Sequence, residues 1–278
     1  MNSSINLMRR VRTLLLEASL WICSLTIIAP LMIVFMGSFK TNTEVLDFSL
    51  KLPSIWHIKN YLTVIEKGNL VRYFYNSVLI AAFSVTITVI LSSMVGFIVA
   101  RRVNRLTGFV FMVFFIGLIT PQQIIPTIKL LQGLKIYGTI PSVILLHAAY
   151  NCAFSVFMYT GFVKSVSREI DESALMDGAS TLRLFFSIIF PLTKPINITL
   201  VIFAFLGIWN DITLPIYFIN DSNNWTMPLS AYKFFSQYSR DWNLVFADMV
   251  LISLPVFLVY IFGQRYIVSG LTAGSVKG

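Results

Sequence analysis

Long apolar runs alternate with short polar ones along the chain, and the lengths of the apolar runs decide what they are. A helix rises 1.5 Å per residue, so about 20 mostly apolar residues cross the hydrocarbon core of a bilayer. Residues 18–39 supply 22 positions without a charge, just after Glu17. Further runs cover residues 73–100, 106–128 (with Pro121 and Pro126), 136–163 (with His147 and Asn151), 195–219 (interrupted by Asp211) and 245–264 (with Asp248 near its start). The pattern predicts an all-α membrane protein with six transmembrane helices. The third helix is the least regular, because each proline removes a backbone donor.

Composition agrees with lipid as the solvent. The 278 residues are 56% hydrophobic and 12% charged, against about a quarter charged in a soluble domain. The net charge of +9 is not a nucleic-acid footprint, since the bases sit at the ends of apolar runs. Arg9, Arg10 and Arg12 precede the first run as in a secretion signal. That run is too long for a signal core and lacks a small-residue cleavage site, so it reads as a retained first helix. Cys23 and Cys152 lie inside apolar runs and read as small hydrophobes.

Orientation follows from Lys and Arg on short loops. With the N-terminus inside, the inner segments carry 12 basic residues, and five of the nine outer ones lie in the long loop 40–72. Both termini are then expected in the cytoplasm: a tail over 1–13, a six-helix transmembrane body over 14–268 and a second tail over 269–278. The aromatic-rich outer segments, 40–72 and 220–243, read as interfacial belts or as partner contacts.

One inner loop stands out. Residues 166–193 hold Glu169, Asp171, Glu172 and Asp177, four of the twelve acids in the chain. Ser167 is placed to cap a helix opening on acidic residues. Ile170, Ala174 and Leu175 share a helical face, Gly178 is a stop, and a second short helix ends at Pro191. The result is a helix–turn–helix, which can rest on lipid headgroups or enter a cleft of another protein. Its acid content and its small residues Ser173, Ala174, Gly178 and Ala179 favour the second reading.

Glu172-Ser173-Ala174, Asp177-Gly178-Ala179, Ile188 and Phe190-Pro191 together resemble the EAA loop of ATP-binding-cassette importer permeases. Ser173 stands for the family's middle alanine and Phe190 for its leucine. Asn60-Tyr61, Asn76-Ser77, Leu206-Gly207-Ile208-Trp209-Asn210 and the tail 270–278 resemble the carbohydrate-uptake group, in particular the smaller permease of the maltose-transporter type. The resemblance implies a sugar permease subunit in a bacterial cell membrane, working by alternating access. Glu172, Ser173, Ala174, Asp177, Gly178, Ala179, Ile188 and Pro191 would form a coupling helix seated in a cytoplasmic ATPase. It further implies a second, homologous permease as heterodimer partner, an ATPase dimer and an extracellular or periplasmic sugar-binding protein. ATP and Mg would be bound by the ATPase and no cofactor by this chain. The C-terminal tail would be an extended segment reaching between the ATPases, or a disordered stub.

Polar residues inside spans are candidates for the substrate path. Trp209, Asn210 and Asp211 suit a sugar by stacking and rim hydrogen bonds, or they bond neighbouring helices. Gln122 and Gln123, between two prolines, line a cavity or satisfy freed backbone groups. Asn151, beside Tyr150, is a further candidate, and His147 reads as a satisfied interior histidine. No GxxxxGK[ST], HExxH or GxSxG pattern is present, so no catalytic or metal-ligating set is expected. The alternatives are a stand-alone secondary transporter or channel, and an ATP-driven permease for a non-sugar solute.

Overall fold

The computed structural model describes residues 2–235 and 241–273, with side chains over 13–235 and 241–266. Fourteen α-helices order the described residues. The first half comprises α1 (Asn2–Gly37), α2 (Asn42–Val45), α3 (Lys59–Lys67), α4 (Leu70–Arg101), α5 (Arg105–Ile119), α6 (Ile124–Gly133) and α7 (Ile140–Ser165). The second half comprises α8 (Glu169–Met176), α9 (Thr181–Leu184), α10 (Phe190–Leu192), α11 (Lys194–Trp209), α12 (Thr213–Phe218), α13 (Met227–Phe234) and α14 (Trp242–Ala273). Phe185–Ile189 is a π turn joining α9 to α10.

Among the described residues, four helices are long and apolar enough to cross a membrane: α1 over Thr13–Gly37, α4, α7 and α14 over Trp242–Tyr266. A fifth span is available if Thr181–Leu192 and Lys194–Trp209 count as one, bent by 75°. The expected third span is not one helix. It divides into α5, 15 residues long, and α6, with Thr120 and Gln123 extended between them. Pro121 explains the break, because its ring excludes the preceding residue from helical geometry. The interruption at Asp211 is a true break between α11 and α12. The C-terminal tail expected to be extended is helical as far as Ala273, and 274–278 lie outside the described residues.

The chain divides into two compact units. One holds the first 70 residues and Ser230–Ser253. Here Asn60 is the fastener: its Nδ2 donates to the carbonyls of Ser38 (2.8 Å) and Lys40 (3.0 Å), and its Oδ1 accepts from Asn243 Nδ2 (3.1 Å). Tyr61 hydrogen-bonds Ser38 Oγ at 2.6 Å, and its ring lies 5.2 Å from Phe39. Burial pushes the Tyr61 hydroxyl pKa up. Asp248 is fully buried and accepts from Ser230 Oγ at 2.9 and 2.7 Å.

The other unit, Val71–Leu229 and Leu254 onward, holds α4 against α7 with the two helices running in the same direction, from Ser84 beside Ile144 to Arg101 beside Val163. Ser84 Oγ donates to Ile144 O (3.1 Å), and Thr88 and Ser84 are buried outright. Further along α4, Gly96 lets the helices touch: a Cβ there would lie 2.5 Å from Tyr159 Cβ and 3.1 Å from Thr160 N. Asn76 and Ser77 hold the irregular segment around Asn223–Met227. Asn76 Nδ2 donates to the carbonyls of Asn223 and Trp225 (3.0 Å each), and Ser77 Oγ accepts from Met227 N (2.8 Å).

Gly96→Val should force α4 and α7 apart at a contact with no slack. The expected cost is about 1–3 kcal/mol, read as a lower thermal midpoint of the detergent-solubilised protein. Gly108→Ala, where a Cβ meets nothing within 4 Å, should leave that midpoint unchanged or slightly higher.

Candidate functional site

The acidic loop folds as a helix–turn–helix. Ser167 Oγ accepts from Glu169 N at 3.2 Å, and acids fill the first turn of α8, where the helix dipole favours them. At the other end Gly178 has φ +80°. Ala179 N donates to Ala174 O and Gly178 N to Leu175 O, both at 3.0 Å. Those are the two closing bonds of a Schellman stop, which require a left-handed residue. Ser180 then caps α9 by accepting from Arg183 N at 3.3 Å.

The buried side of the loop is Ala174, Leu184, Phe185 and Ile189, packed with Phe97 and Ala100 of α4 and Val163 of α7. Ile188 packs at the edge of this cluster. Glu172, Ser173, Asp177 and Gly178 are exposed. Leu175 was expected on the buried face but is 52% exposed, and Met176 is 89% exposed. The turn of α8 carries Leu175 past the cluster, so two apolar side chains stand outward beside Glu172 and Gly178. Pro191 does not end the second helix. The break falls at Thr193, and Pro191 sits in the first turn of α10, where a missing N–H costs nothing.

Two polar side chains fix this arrangement. Arg101, the last residue of α4, has its Nε 2.5 Å from Asp171 Oδ2. Its two terminal nitrogens donate to Val163 O (3.1 Å), Val166 O (3.0 Å), Ser167 O (3.5 Å) and Asp171 Oδ1 (3.2 Å). Val163 O, in the last turn of α7, also accepts from Val166 N at 3.2 Å, while Val166 O and Ser167 O lie just past the helix, where the ladder gives no donors; the guanidinium supplies them. Asn197 secures the bend before α11: its Oδ1 accepts from Tyr159 OH (2.7 Å) and Thr193 Oγ1 (3.1 Å), and its Nδ2 donates to Phe190 O (3.2 Å). Sequence reasoning missed both residues. Arg101 looked like one more inner-loop cation, and nothing local marks a partner 70 residues away.

A separate polar cavity of about 310 Å³ lies where the helices break. Its wall includes Gln122, His147, Tyr150, Asn151, Asn210 and Asp211. Four of the six sequence candidates therefore meet. Gln123 does not: it precedes α6 with its carbonyl accepting from Thr127 Oγ1 (2.6 Å). Trp209 does not either, because its ring is 2% exposed and packs against Phe205 (5.4 Å, stacked) and Phe74 (5.9 Å, edge-on). Asp211 accepts from Thr213 N (2.8 Å) and Leu214 N (3.1 Å), which opens α12. Asn151 and Asn210 each donate one amide hydrogen to their own helix, to His147 O (2.8 Å) and Leu206 O (2.9 Å). His147 is not the satisfied interior histidine expected. Its Nε2 is buried without a hydrogen-bond partner among the described residues.

Residues 92–273 match the binding-protein-dependent transport system inner membrane component family. The chain belongs to this family. It is 34% identical to a probable starch degradation products transport system permease of Thermoanaerobacterium thermosulfurigenes, over 92% of this chain and 94% of that one. A melibiose/raffinose/stachyose import permease of Bacillus subtilis is 30% identical, over 97% and 98%. The fold resembles a chain of a bacterial ABC transporter for alginate import, with TM-score 0.83 at 18% identity, covering 92% of this chain and 96% of that one. The protein is therefore a membrane permease subunit of the ABC importer class and not an enzyme.

Arg101→Ala should free the loop from the end of α7, since removing one partner of a mostly buried ion pair costs about 3–5 kcal/mol. Tryptic cleavage at Arg168 and Arg183 in the detergent-solubilised protein should accelerate. Arg101→Lys should fall between, because one ammonium cannot reach the α7 carbonyls and both carboxylate oxygens together.

Proposed function

We propose that this chain is one of two permeases in an ATP-driven oligosaccharide importer of a bacterial cell membrane. It crosses the bilayer six times, with α5 and α6 together forming the irregular third span, and keeps both termini in the cytoplasm. A homologous permease forms the heterodimer, and a dimer of cytoplasmic ATPases binds ATP and Mg. A binding protein outside the membrane delivers the solute. The substrate class rests on the relatives, which are named for starch products, melibiose, raffinose and stachyose, and for diacetylchitobiose in Streptomyces coelicolor.

The observation that carries the mechanism is the acidic loop. It is anchored inward by Arg101 and by its apolar cluster, while Glu172, Ser173, Leu175, Met176, Asp177 and Gly178 face outward. An outward face of two apolar side chains ringed by acids and a bare glycine turn suits a protein cleft better than a headgroup layer. Ala174 and Ile188 seat the loop, Ala179 closes its turn, and Pro191 starts the segment leading to the bend. ATP-driven closure of the ATPases pushes on this surface. The loop carries the push into α4, α7 and α11, and the bundle rocks between outward-open and inward-open states.

Gly178→Asp meets no atom within 4 Å of the added Cβ, and its φ of +80° adds local strain of about 1–2 kcal/mol, too little to keep the chain out of the membrane. In proteoliposomes of the whole transporter, uptake should fall about tenfold or more, equivalent to ~1.4 kcal/mol of lost coupling, while ATP hydrolysis continues. Normal uptake by that variant overturns the coupling role. Uptake measured over a panel of neutral oligosaccharides tests the substrate class, and transport by this chain without any ATPase refutes the whole reading.

A further inference from the structure

From the polar cavity we infer that this subunit contacts the transported solute directly, through a subsite for one neutral sugar residue centred on His147 and Asn151. The inference rests on the importer reading above and assigns residues to it. His147 is 4% exposed, and its Nε2 has no hydrogen-bond partner among the described residues. Asp211 Oδ2, in the same cavity wall, is 3.6 Å away, beyond hydrogen-bonding length. A buried polar atom left in this state costs free energy unless something else satisfies it. Here the atom belongs to the wall of a cavity, so the missing partner can be a ligand.

The wall chemistry selects the ligand class. Gln122, Asn151 and Asn210 are amides, Tyr150 a phenol and His147 an imidazole, so most of the wall both donates and accepts. Asn151 and Asn210 each spend one donor on their own helix, which leaves their carbonyl oxygens to the cavity. No Lys or Arg lines the cavity, so an anion finds no counter-charge. The one acid, Asp211, already accepts two backbone N–H groups, so a cation finds a carboxylate in use. Hydroxyl groups, which pair with amides in either sense, suit every member. The ring of Tyr150 adds an apolar wall of the kind that one face of a sugar ring covers. At about 310 Å³ the space is at the small end of ligand pockets, roughly 300–1,000 Å³. It suits one sugar residue of a chain rather than a whole oligosaccharide.

The test uses the complete transporter in proteoliposomes, with saturating binding protein and with radiolabelled maltotriose and raffinose as probes. For a probe that the unaltered transporter carries, His147→Leu and Asn151→Leu should each lower uptake about tenfold, the loss of one well-formed hydrogen bond. His147→Gln, which keeps an N–H donor, should retain most of the uptake. The ratio of the two probes' rates should shift in the Leu variants and not in the Gln variant, which a purely structural defect would not produce. Should His147→Leu fail to co-purify with its partners, Asn151→Leu and Tyr150→Phe carry the same test. Unaltered uptake and unaltered probe ratio in the Leu variants overturn the subsite while leaving the importer reading intact. An unaltered transporter that carries neither probe nor any neutral oligosaccharide overturns both.

Discussion

A single guanidinium decides how the end of this permease that carries the acidic loop is built. The chain leaving α7 presents carbonyls beyond the helical ladder, and the first turn of α8 carries a mostly buried carboxylate, Asp171. Arg101 reaches Val163 O, Val166 O and both oxygens of Asp171 from the end of α4. Each partner would be costly alone in this setting, and together they neutralise one another. The consequence is mechanical. The acidic loop is not a tether between two spans but part of the body formed by α4 and α7.

Polar side chains elsewhere follow the same logic. In lipid every backbone group needs an internal partner, so irregular backbone exists only where side chains supply one. Asn76 and Ser77 hold the segment from Asn223 to Met227. Asn60 holds the carbonyls just after α1. Asn197 holds the bend between α10 and α11. Most of these residues also carry the family resemblance, and the structure gives the physical reason: each secures a place where the helical ladder stops.

Breaks in the ladder also create the polar cavity. α5 stops before Pro121 and α11 stops at Asn210, and side chains from both breaks meet residues of α7. A bundle of uninterrupted apolar helices would offer a solute no amide or imidazole at this depth. The same irregularity that shortens the third span thus supplies the polar wall.

The sequence by itself determined the helical membrane class, the positions of α1, α4, α7 and α14, and the capped, glycine-stopped loop from Ser167 onward. Those features are local: apolar length, caps and a left-handed glycine act within a few residues of themselves. Only the tertiary structure decided that Leu175 faces outward, that Pro191 lies inside a turn, and that Trp209 is packed between Phe74 and Phe205. It alone chose Gln122 over Gln123 for the cavity and left His147 Nε2 without a hydrogen-bond partner among the described residues. Those outcomes depend on contacts between residues far apart in the chain, from the 25 positions between Gln122 and His147 to the 135 between Phe74 and Trp209, and nothing in the local pattern encodes which neighbour will arrive.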